Sequence, residues 1–362
     1  MEKLRSLRSR DTLDFYGTGG DAMSRAGVHL LRHVRDLAHI GAREALSSFR
    51  TYYETYRHLA AESAAHRPDL AILLDFPEFN LRMAKKLKRM GIPVIYYIGP
   101  QVWAWRSGRV RIIRKCVDQM LVILPFEEDF YRKRGVEVQF VGHPLLEGFK
   151  PHYDREAFLR GLDMAPDRKT VAILAGSRRK EIDYILPVML RAGQCLLATV
   201  PAQFLISVAS TVEIEHIRAV LRRVVGDDPA GRHFRVLTQD SRDILANSDF
   251  AFVKSGTSSL EAALVGVPFL ITYRISPISW CVGSLLIRSP MKGLVNLIAQ
   301  KKIVPELFQY DAKPRELARI ASEYLEKPEK RDAMRAQLAG IRHQLSVRCA
   351  SETVATVVSR YL

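Results

Sequence analysis

Cysteine is scarce in this chain: four in 362 residues, at Cys116, Cys195, Cys281 and Cys349. No two form a CxxC pair, and no histidine cluster has zinc spacing, so a zinc ribbon and a disulfide framework are both excluded. Free thiols of a reducing compartment are the expectation. Long apolar runs are also missing. No stretch of 18 apolar residues occurs, which argues against a membrane-spanning helix. The opening Met1-Glu-Lys-Leu-Arg-Ser-Leu-Arg-Ser-Arg10 lacks the apolar core of a signal peptide. Nor is there a D-x-D anywhere, the usual carboxylate pair for a metal-bound diphosphate, so no metal and no cofactor are expected. Leaving-group charge would then fall to arginines and helix N-termini.

Negative charge is in short supply too. Lys and Arg number 55 against 39 Asp and Glu, a formal net charge of +16. Such an excess favours anionic partners: phosphate-bearing substrates, an anionic membrane surface or nucleic acid. No nucleic-acid-binding motif accompanies it, and no nucleic-acid partner is expected. With 48% apolar and 26% charged residues the composition is that of an ordinary globular protein. The length favours two domains.

Short apolar runs alternate with amphipathic ones from end to end. Residues 13–16, 70–74, 94–98, 120–124 and 138–141 read as strands of a first half. Residues 171–174, 204–208, 234–237, 250–253 and 269–273 read as strands of a second. Most are continuously apolar, the pattern of parallel strands covered on both faces. Segments such as Phe79–Met90 and Val188–Val200 supply the helices between them. The expected fold is α/β, with two Rossmann-like domains facing a cleft. The polar stretch Gly148–Lys169 marks the junction, giving an N-terminal domain over 1–147 and a C-terminal one over 148–339. A final helical stretch, 340–362, can return to the first domain.

The most informative stretch is Ser255-Gly256-Thr257-Ser258-Ser259-Leu260-Glu261, between the strand-like runs Asp249–Val253 and Val267–Ile271. A hydroxyl-rich turn there leaves a strand and opens a helix. The first N–H groups of a helix lack intrahelical partners and carry partial positive charge, so phosphate binds well. Glu261, one turn further on, can accept hydrogen bonds from sugar hydroxyls. Gly176-Ser177-Arg178-Arg179 repeats the layout after the first strand of the same domain. A glycine turn beside arginines can hold a diphosphate. His143, in Val141-Gly-His-Pro144, reads more readily as a hydrogen-bonded structural histidine than as a catalyst.

Three strand-end segments in the first half carry further candidates. Asp75, in Asp75-Phe-Pro-Glu-Phe-Asn80, follows a strand and either takes a proton from an attacking hydroxyl or caps the next helix, with Pro77 in its first turn. Gly17-Thr-Gly19-Gly20-Asp-Ala22 partly matches a dinucleotide fingerprint, with Asp36 near the spacing of its ribose acid; close backbone packing is the plainer reading. Trp103, Trp105 and Arg106, in Gly99-Pro-Gln-Val-Trp-Ala-Trp-Arg106, either stack on a sugar or hold an acyl chain, or pack beneath a loop. The mixed aromatic and basic segment Leu37–Tyr56 reads as an interfacial helix or as one packed on the sheet.

Taken together, these segments resemble the lipid-A-disaccharide synthase family, glycosyltransferases of the GT-B fold. The matches run in family order: Gly17–Met23, Asp75–Asn80, Gly99–Arg106, Leu124-Pro-Phe-Glu127, Phe140–Leu145, Gly176–Ile182, Ser255–Leu264, Tyr273–Pro277, Asn296–Ala299 and Val304–Gln309. The resemblance implies transfer of diacylated glucosamine from UDP-2,3-diacylglucosamine to the 6-hydroxyl of 2,3-diacylglucosamine 1-phosphate, by one inverting displacement. It implies Asp75 as general base and Arg178, with Arg179, as stabilisers of departing UDP. Ser177, Ser255, Gly256, Thr257 and Glu261 would hold diphosphate and ribose, and Asn296 and Gln309 would line the donor site. Gly19, Gly20, Asn80, Trp103, Trp105 and Arg106 would border the acceptor. Because the substrates are lipids, the protein is expected on the cytoplasmic side, peripherally attached to an anionic inner-membrane surface.

One departure is visible. The family opens with a strand and a motif close to SAGExSGD, and nothing before Glu2 supplies it. The expectation is either that the recorded start is wrong or that part of the acceptor site is lacking. In the second case the alternative is a non-catalytic nucleotide- or membrane-binding remnant of the family.

Overall fold

The computed structural model describes residues 1–8, 13–38, 45–103, 107–226, 232–277, 280 and 291–362, with the side chains of 37, 38 and 45–49 left aside. The chain divides into two compact units: Met1–Glu147 with Leu345–Leu362, and Gly148–Gln344.

The second unit is built on six parallel strands: β7 (Lys169–Leu174), β8 (Ala202–Ser207), β9 (Phe234–Leu237), β10 (Phe250–Lys254), β11 (Phe269–Tyr273) and β12 (Glu306–Phe308). Their spatial order is β12-β11-β10-β7-β8-β9. Read from β9, this is the 3-2-1-4-5-6 order of a doubly wound nucleotide-binding sheet, whose direction of winding reverses between β7 and β10. Helices Arg179–Leu197, Ile214–Val225 and Pro314–Glu326 contribute to one continuous apolar core with β7, β8 and β10. Val171, Ile173, Phe204, Phe250 and Phe252 have no exposed surface. Phe204 and Phe234 stack with centroids 4.7 Å apart, a geometry that adds about 1 kcal/mol to the area they bury.

Polar side chains tie the amino ends of these strands. The Asp249 carboxylate accepts from Thr170 N (2.8 Å) and from Arg155 (3.0 Å). Fully buried Gln203 bonds to Ala165 through both its oxygen and its nitrogen, and donates to Thr170 Oγ1. The carboxyl ends of β7 and β10 lead into the glycine turns.

The first unit holds two parallel sheets. One pairs β1 (Tyr16–Gly19) with β2 (His29–His33); the other runs β3 (Ala71–Leu74), β4 (Val94–Tyr97), β5 (Gln119–Val122) and β6 (Val138–Phe140) in sequence order. β4 and β5 are buried, as continuous apolar strands should be. β3 is the edge of its sheet, and Ile72 and Leu74 are 44% and 47% exposed despite its Ala-Ile-Leu-Leu sequence. The run expected as a strand at 13–16 forms one at Tyr16–Gly19 instead. β2 and β12 have no counterpart in the hydropathy pattern, because His-Leu-Leu-Arg-His and Glu-Leu-Phe are short and mixed in polarity. The helix Ala45–His66 packs inward through Tyr52 and Tyr56, both edge-on to Phe79, so the packed-helix reading holds for that face.

The chain's end returns to this unit. Ala355, Val357 and Val358 of helix Ala350–Val358 join Leu4, Ile95, Leu121 and Val141 in one apolar cluster. Lys3 and Glu352 pair at 2.7 Å on the outside. The approach is closest at Gly142, whose φ is +91°; a Cβ there would stand 2.1 Å from the Arg348 carbonyl oxygen. Gly142→Ala should therefore cost upwards of roughly 3 kcal/mol in urea unfolding, from collision and left-handed backbone together. Gly91, with φ +77° and nothing near its Cβ position, is the control, where alanine should cost about 1 kcal/mol.

Candidate functional site

In open α/β sheets, ligands bind beyond the carboxyl ends of the strands where the winding reverses. In the second unit that point lies between β7 and β10, which pair from Val171 opposite Phe250 to Leu174 opposite Val253. This register sets the turn after β7, Ala175–Arg178, beside the turn after β10, Ser255–Gly256. Both turns pass through glycine in the left-handed half of backbone space, at φ +116° for Gly176 and +143° for Gly256. Each opens a helix: Arg178 precedes Arg179–Leu197, and Gly256 precedes Thr257–Val265.

Neither helix start is capped by a side chain of its preceding residue. Leading N–H groups remain available for an anion. Ser177 and Thr257 are exposed, and Arg179 is exposed in the first helical position. Arg178 is 79% exposed and reaches Glu181 Oε1 at 3.2 Å. Ser255 N donates to Thr272 O, and Ser259 closes its turn by donating to the Gly256 carbonyl through both N and Oγ. Glu261 Oε2 accepts from Ser241 Oγ at 3.0 Å. Burial raises the Glu261 pKa, and the Ser241 hydrogen bond partly offsets that. The nearby Arg242 is engaged with Asp240.

Asn296 and Gln309 are not presented to a ligand. Asn296 is fully buried; its oxygen accepts from Ile303 N and Val304 N, and its nitrogen donates to Val304 O and Glu306 Oε1. Gln309 brackets Ile275 through that residue's N and O. Both side chains tie the loops flanking β11 and β12, so their place in a donor-site segment is structural. Asn296→Ala should lower unfolding stability by roughly 2–4 kcal/mol, by orphaning buried donors, while leaving UDP affinity within about twofold of the parent by calorimetry.

In the first unit, Asp75 and Phe76 are both left-handed, at φ +48° and +40°. Two such non-glycine residues cost about 1–2 kcal/mol each. Strain of this kind in a loop at a strand's carboxyl end marks a position held for a purpose. The turn is held from beneath: buried Asn80 donates to the carbonyls of Leu74 (2.9 Å) and Asp75 (2.7 Å), and Tyr96 OH donates to Asp75 O (2.6 Å). Asn80 thus shapes this turn rather than bordering a ligand. The helix Pro77–Arg89 has Phe76 at its N-cap with no side-chain cap bond, so the capping reading of Asp75 fails. Asp75 is exposed.

Gly19 is buried, and a Cβ on it would strike Met23 Sδ at 2.6 Å; Gly20 precedes the short helix Asp21–Arg25. Close packing accounts for a glycine at position 19. Asp36 lies in a helical turn, Arg35–Ala38, beyond β2, so the fingerprint's ribose acid is not on a second strand. Trp103 is anchored, with Nε1 donating to Glu127 Oε1 (3.0 Å) and its ring edge-on to Phe126 at 5.0 Å. Trp105 and Arg106 lie outside the described residues. His143 is buried; its Nδ1 accepts from Leu145 N, and burial pulls its pKa down to about 4.

Three charged groups were given no role by the sequence reading. Glu181 and Lys254 pair between the two glycine turns. Their signal was faint: a carboxylate three residues beyond Arg178 and a lysine closing an apolar strand. Glu127 is the third. It is buried, accepts from Leu124 N as well as Trp103, and burial pushes its pKa up to about 7. Among the described residues, no group of three or more His, Cys, Asp or Glu side chains is placed to hold a metal ion.

The fold has solved counterparts. The structure resembles UDP-GlcNAc 2-epimerase from Neisseria meningitidis bound to UDP-GlcNAc, with a TM-score of 0.60 and 10% identity, over 96% of this chain and 100% of that one. It also resembles an alpha,alpha-trehalose-phosphate synthase from Burkholderia vietnamiensis, with a TM-score of 0.58 and 11% identity, over 96% and 99%. The fold class is therefore that of GT-B glycosyltransferases, with Rossmann-like units. A family model described as Lipid-A-disaccharide synthetase matches residues 2–357. The chain is 41% identical over 344 residues to the lipid-A-disaccharide synthase of Syntrophus aciditrophicus, covering 95% of this chain and 88% of that protein. It is 39% identical over 358 residues to that of Geobacter metallireducens, covering 99% and 92%. The chain belongs to the lipid-A-disaccharide synthetase family and is a glycosyltransferase.

The Glu127 shift has a sign. Its folded pKa lies above the unfolded value of 4.5, so the stability linked to it is present below pH 4.5 and is lost as pH rises through about 7. The full shift corresponds to something on the order of 3 kcal/mol. His143, lowered rather than raised, acts oppositely: its stability is present above 6.5 and is lost as pH falls towards about 4. Subtracting the urea stability of Glu127→Gln from that of the parent at each pH cancels the histidine. The difference should fall steadily between pH 4.5 and 7.

Proposed function

We propose that this protein transfers 2,3-diacylglucosamine from UDP-2,3-diacylglucosamine to the 6-hydroxyl of 2,3-diacylglucosamine 1-phosphate, releasing UDP. The observation that carries the reading is the pair of glycine turns at the winding reversal of the second unit, on a chain of this family. The two turns and their helix starts offer N–H donors for the diphosphate, and Arg178 and Arg179 add mobile positive charge. Glu261, oriented by Ser241, accepts from the ribose hydroxyls.

Asp75 is the general base. It takes the proton of the acceptor's 6-hydroxyl as that oxygen bonds to the anomeric carbon. The bond from that carbon to the diphosphate oxygen breaks in the same step, and the α-configured donor yields a β-linked product. What supports the assignment is the exposed carboxylate on a strained turn fixed through its own carbonyl by Asn80 and Tyr96. A base must hold its aim to within an ångström or less, and a turn over-determined in this way does so. Departing UDP carries its charge onto the helix starts and arginines, so the reaction needs no metal or cofactor.

Both substrates carry acyl chains and stay in a bilayer, so the enzyme works on the cytoplasmic face of the inner membrane as a peripheral protein. Among the described residues, no helix is long and apolar enough to cross a membrane. The net charge of +16 suits an anionic lipid surface, where each basic side chain contributes about 1 kcal/mol.

The test is UDP release from the two lipid substrates in the presence of a metal chelator. The unaltered protein should turn over, and Asp75→Asn should lose at least about a thousandfold in kcat with UDP affinity nearly unchanged. Normal turnover by Asp75→Asn would remove the base from the mechanism.

A further inference from the structure

Lys254 and Glu181 form an ion pair of unusual placement. Lys254 closes β10, and Glu181 stands in the first turn of helix Arg179–Leu197. Nζ and Oε1 are 3.3 Å apart, with the two side chains only 16% and 9% exposed. That separation is long for a charge-assisted bond, which normally closes to about 2.8 Å. Glu181 Oε2, buried, has no hydrogen-bond partner at all. A Cβ on Gly176 would stand 2.9 Å from that oxygen, and a Cβ on Gly256 would stand 3.3 Å from the lysine nitrogen. The pair therefore borders both glycine turns, whose backbones at φ +116° and +143° already favour glycine.

As a device for stability this arrangement is poor. Two charges are desolvated, their contact is loose and one carboxylate oxygen is orphaned. As a device for receiving an anion it is well arranged. The lysine side chain borders both turns, 3.5 Å at Cδ from a Cβ on Gly176 and 3.3 Å at Nζ from one on Gly256, and Glu181 keeps the ammonium from wandering without saturating it.

We propose that Lys254 is a binding residue for the diphosphate of the nucleotide-sugar donor, and that Glu181 is its positioning residue. The proposal rests on the donor-site reading given above. In the empty protein Glu181 holds the ammonium between the turns. An arriving diphosphate, whose oxygens already accept from the turn N–H groups, takes over the lysine, so the cation exchanges one anion for another and is never bare. Glu181 stays paired with Arg178, whose NH1 reaches the same Oε1 from the surface at 3.2 Å. After the sugar leaves, Lys254 remains on the extra negative charge that UDP has gained.

The test compares UDP with uridine, which lacks phosphate, as ligands for the parent, Lys254→Met, Lys254→Arg, Glu181→Gln and the Lys254→Met/Glu181→Gln double variant. Lys254→Met should weaken UDP at least about tenfold and leave uridine within about twofold, while Lys254→Arg stays within about threefold of the parent for UDP. The double variant removes both charges, leaves no orphaned carboxylate and remains measurable even where Lys254→Met folds badly. It should stay as weak for UDP as the single lysine variant. Glu181→Gln should raise the KM for the donor severalfold with kcat nearly unchanged. A double variant that binds UDP like the parent would overturn the proposal, since the lysine would then serve only to neutralise Glu181. Failure of the unaltered protein to bind UDP would instead strike at the donor-site reading itself.

Discussion

The pairing of β7 with β10 is the constraint on which the layout of the second unit's glycine turns depends. These strands are far apart in sequence, yet they lie side by side and in register, Val171 opposite Phe250 through Leu174 opposite Val253. Two glycine turns separated by some eighty residues become neighbours only through that pairing. The apolar runs can be so short because both faces are covered and every residue counts towards the core. The unit then divides its labour by strand end. Arg155, Asp249, Thr170 and Gln203 lock the amino ends with buried and half-buried polar bonds. The carboxyl ends lead into turns whose donors are left for something else.

In the first unit the same principle produces a different device. Asp75 leaves β3 and cannot relax, because its carbonyl is claimed by both Asn80 and Tyr96. Helix Pro77–Arg89 begins two residues later, so the chain must turn sharply over Asp75 and Phe76. Rigidity here comes from side chains bonding to backbone, beneath the surface, while the carboxylate itself stays outside. Glu127 does comparable work for the Trp103 loop, at the cost of burying a carboxyl group.

Much of this was legible in the residues. Continuous Val, Ile, Leu and Phe runs located β4, β5, β7, β8, β10 and β11 because burial on both faces leaves no ambiguity of pattern. Edge elements were harder. β2 and β12 lack a hydrophobic signature, since strand edges tolerate polar residues, and β1 was displaced by three residues. The glycine turns at Gly176 and Gly256 and the strand-end position of Asp75 were readable because small and charged residues there follow continuous apolar runs directly. Asn296 and Gln309 misled for a physical reason. An amide that satisfies four loop hydrogen bonds and one that faces a ligand look identical in sequence, and only burial and partners separate them. Lys254 and Glu181 escaped because nothing local reveals an ion pair made across two strand ends.

The double left-handed turn at Asp75 and Phe76 has a bearing on how this protein would respond to laboratory evolution. Glycine at position 76 would relieve the left-handed backbone cost, but it would also remove a ring stacked on Phe79 and edge-on to Tyr52. The two effects are of similar size and opposite sign, so a screen for thermal robustness should gain little there. The unfavourable backbone is thus kept in place by the aromatic cluster above it, and hardening has to come from elsewhere in the chain.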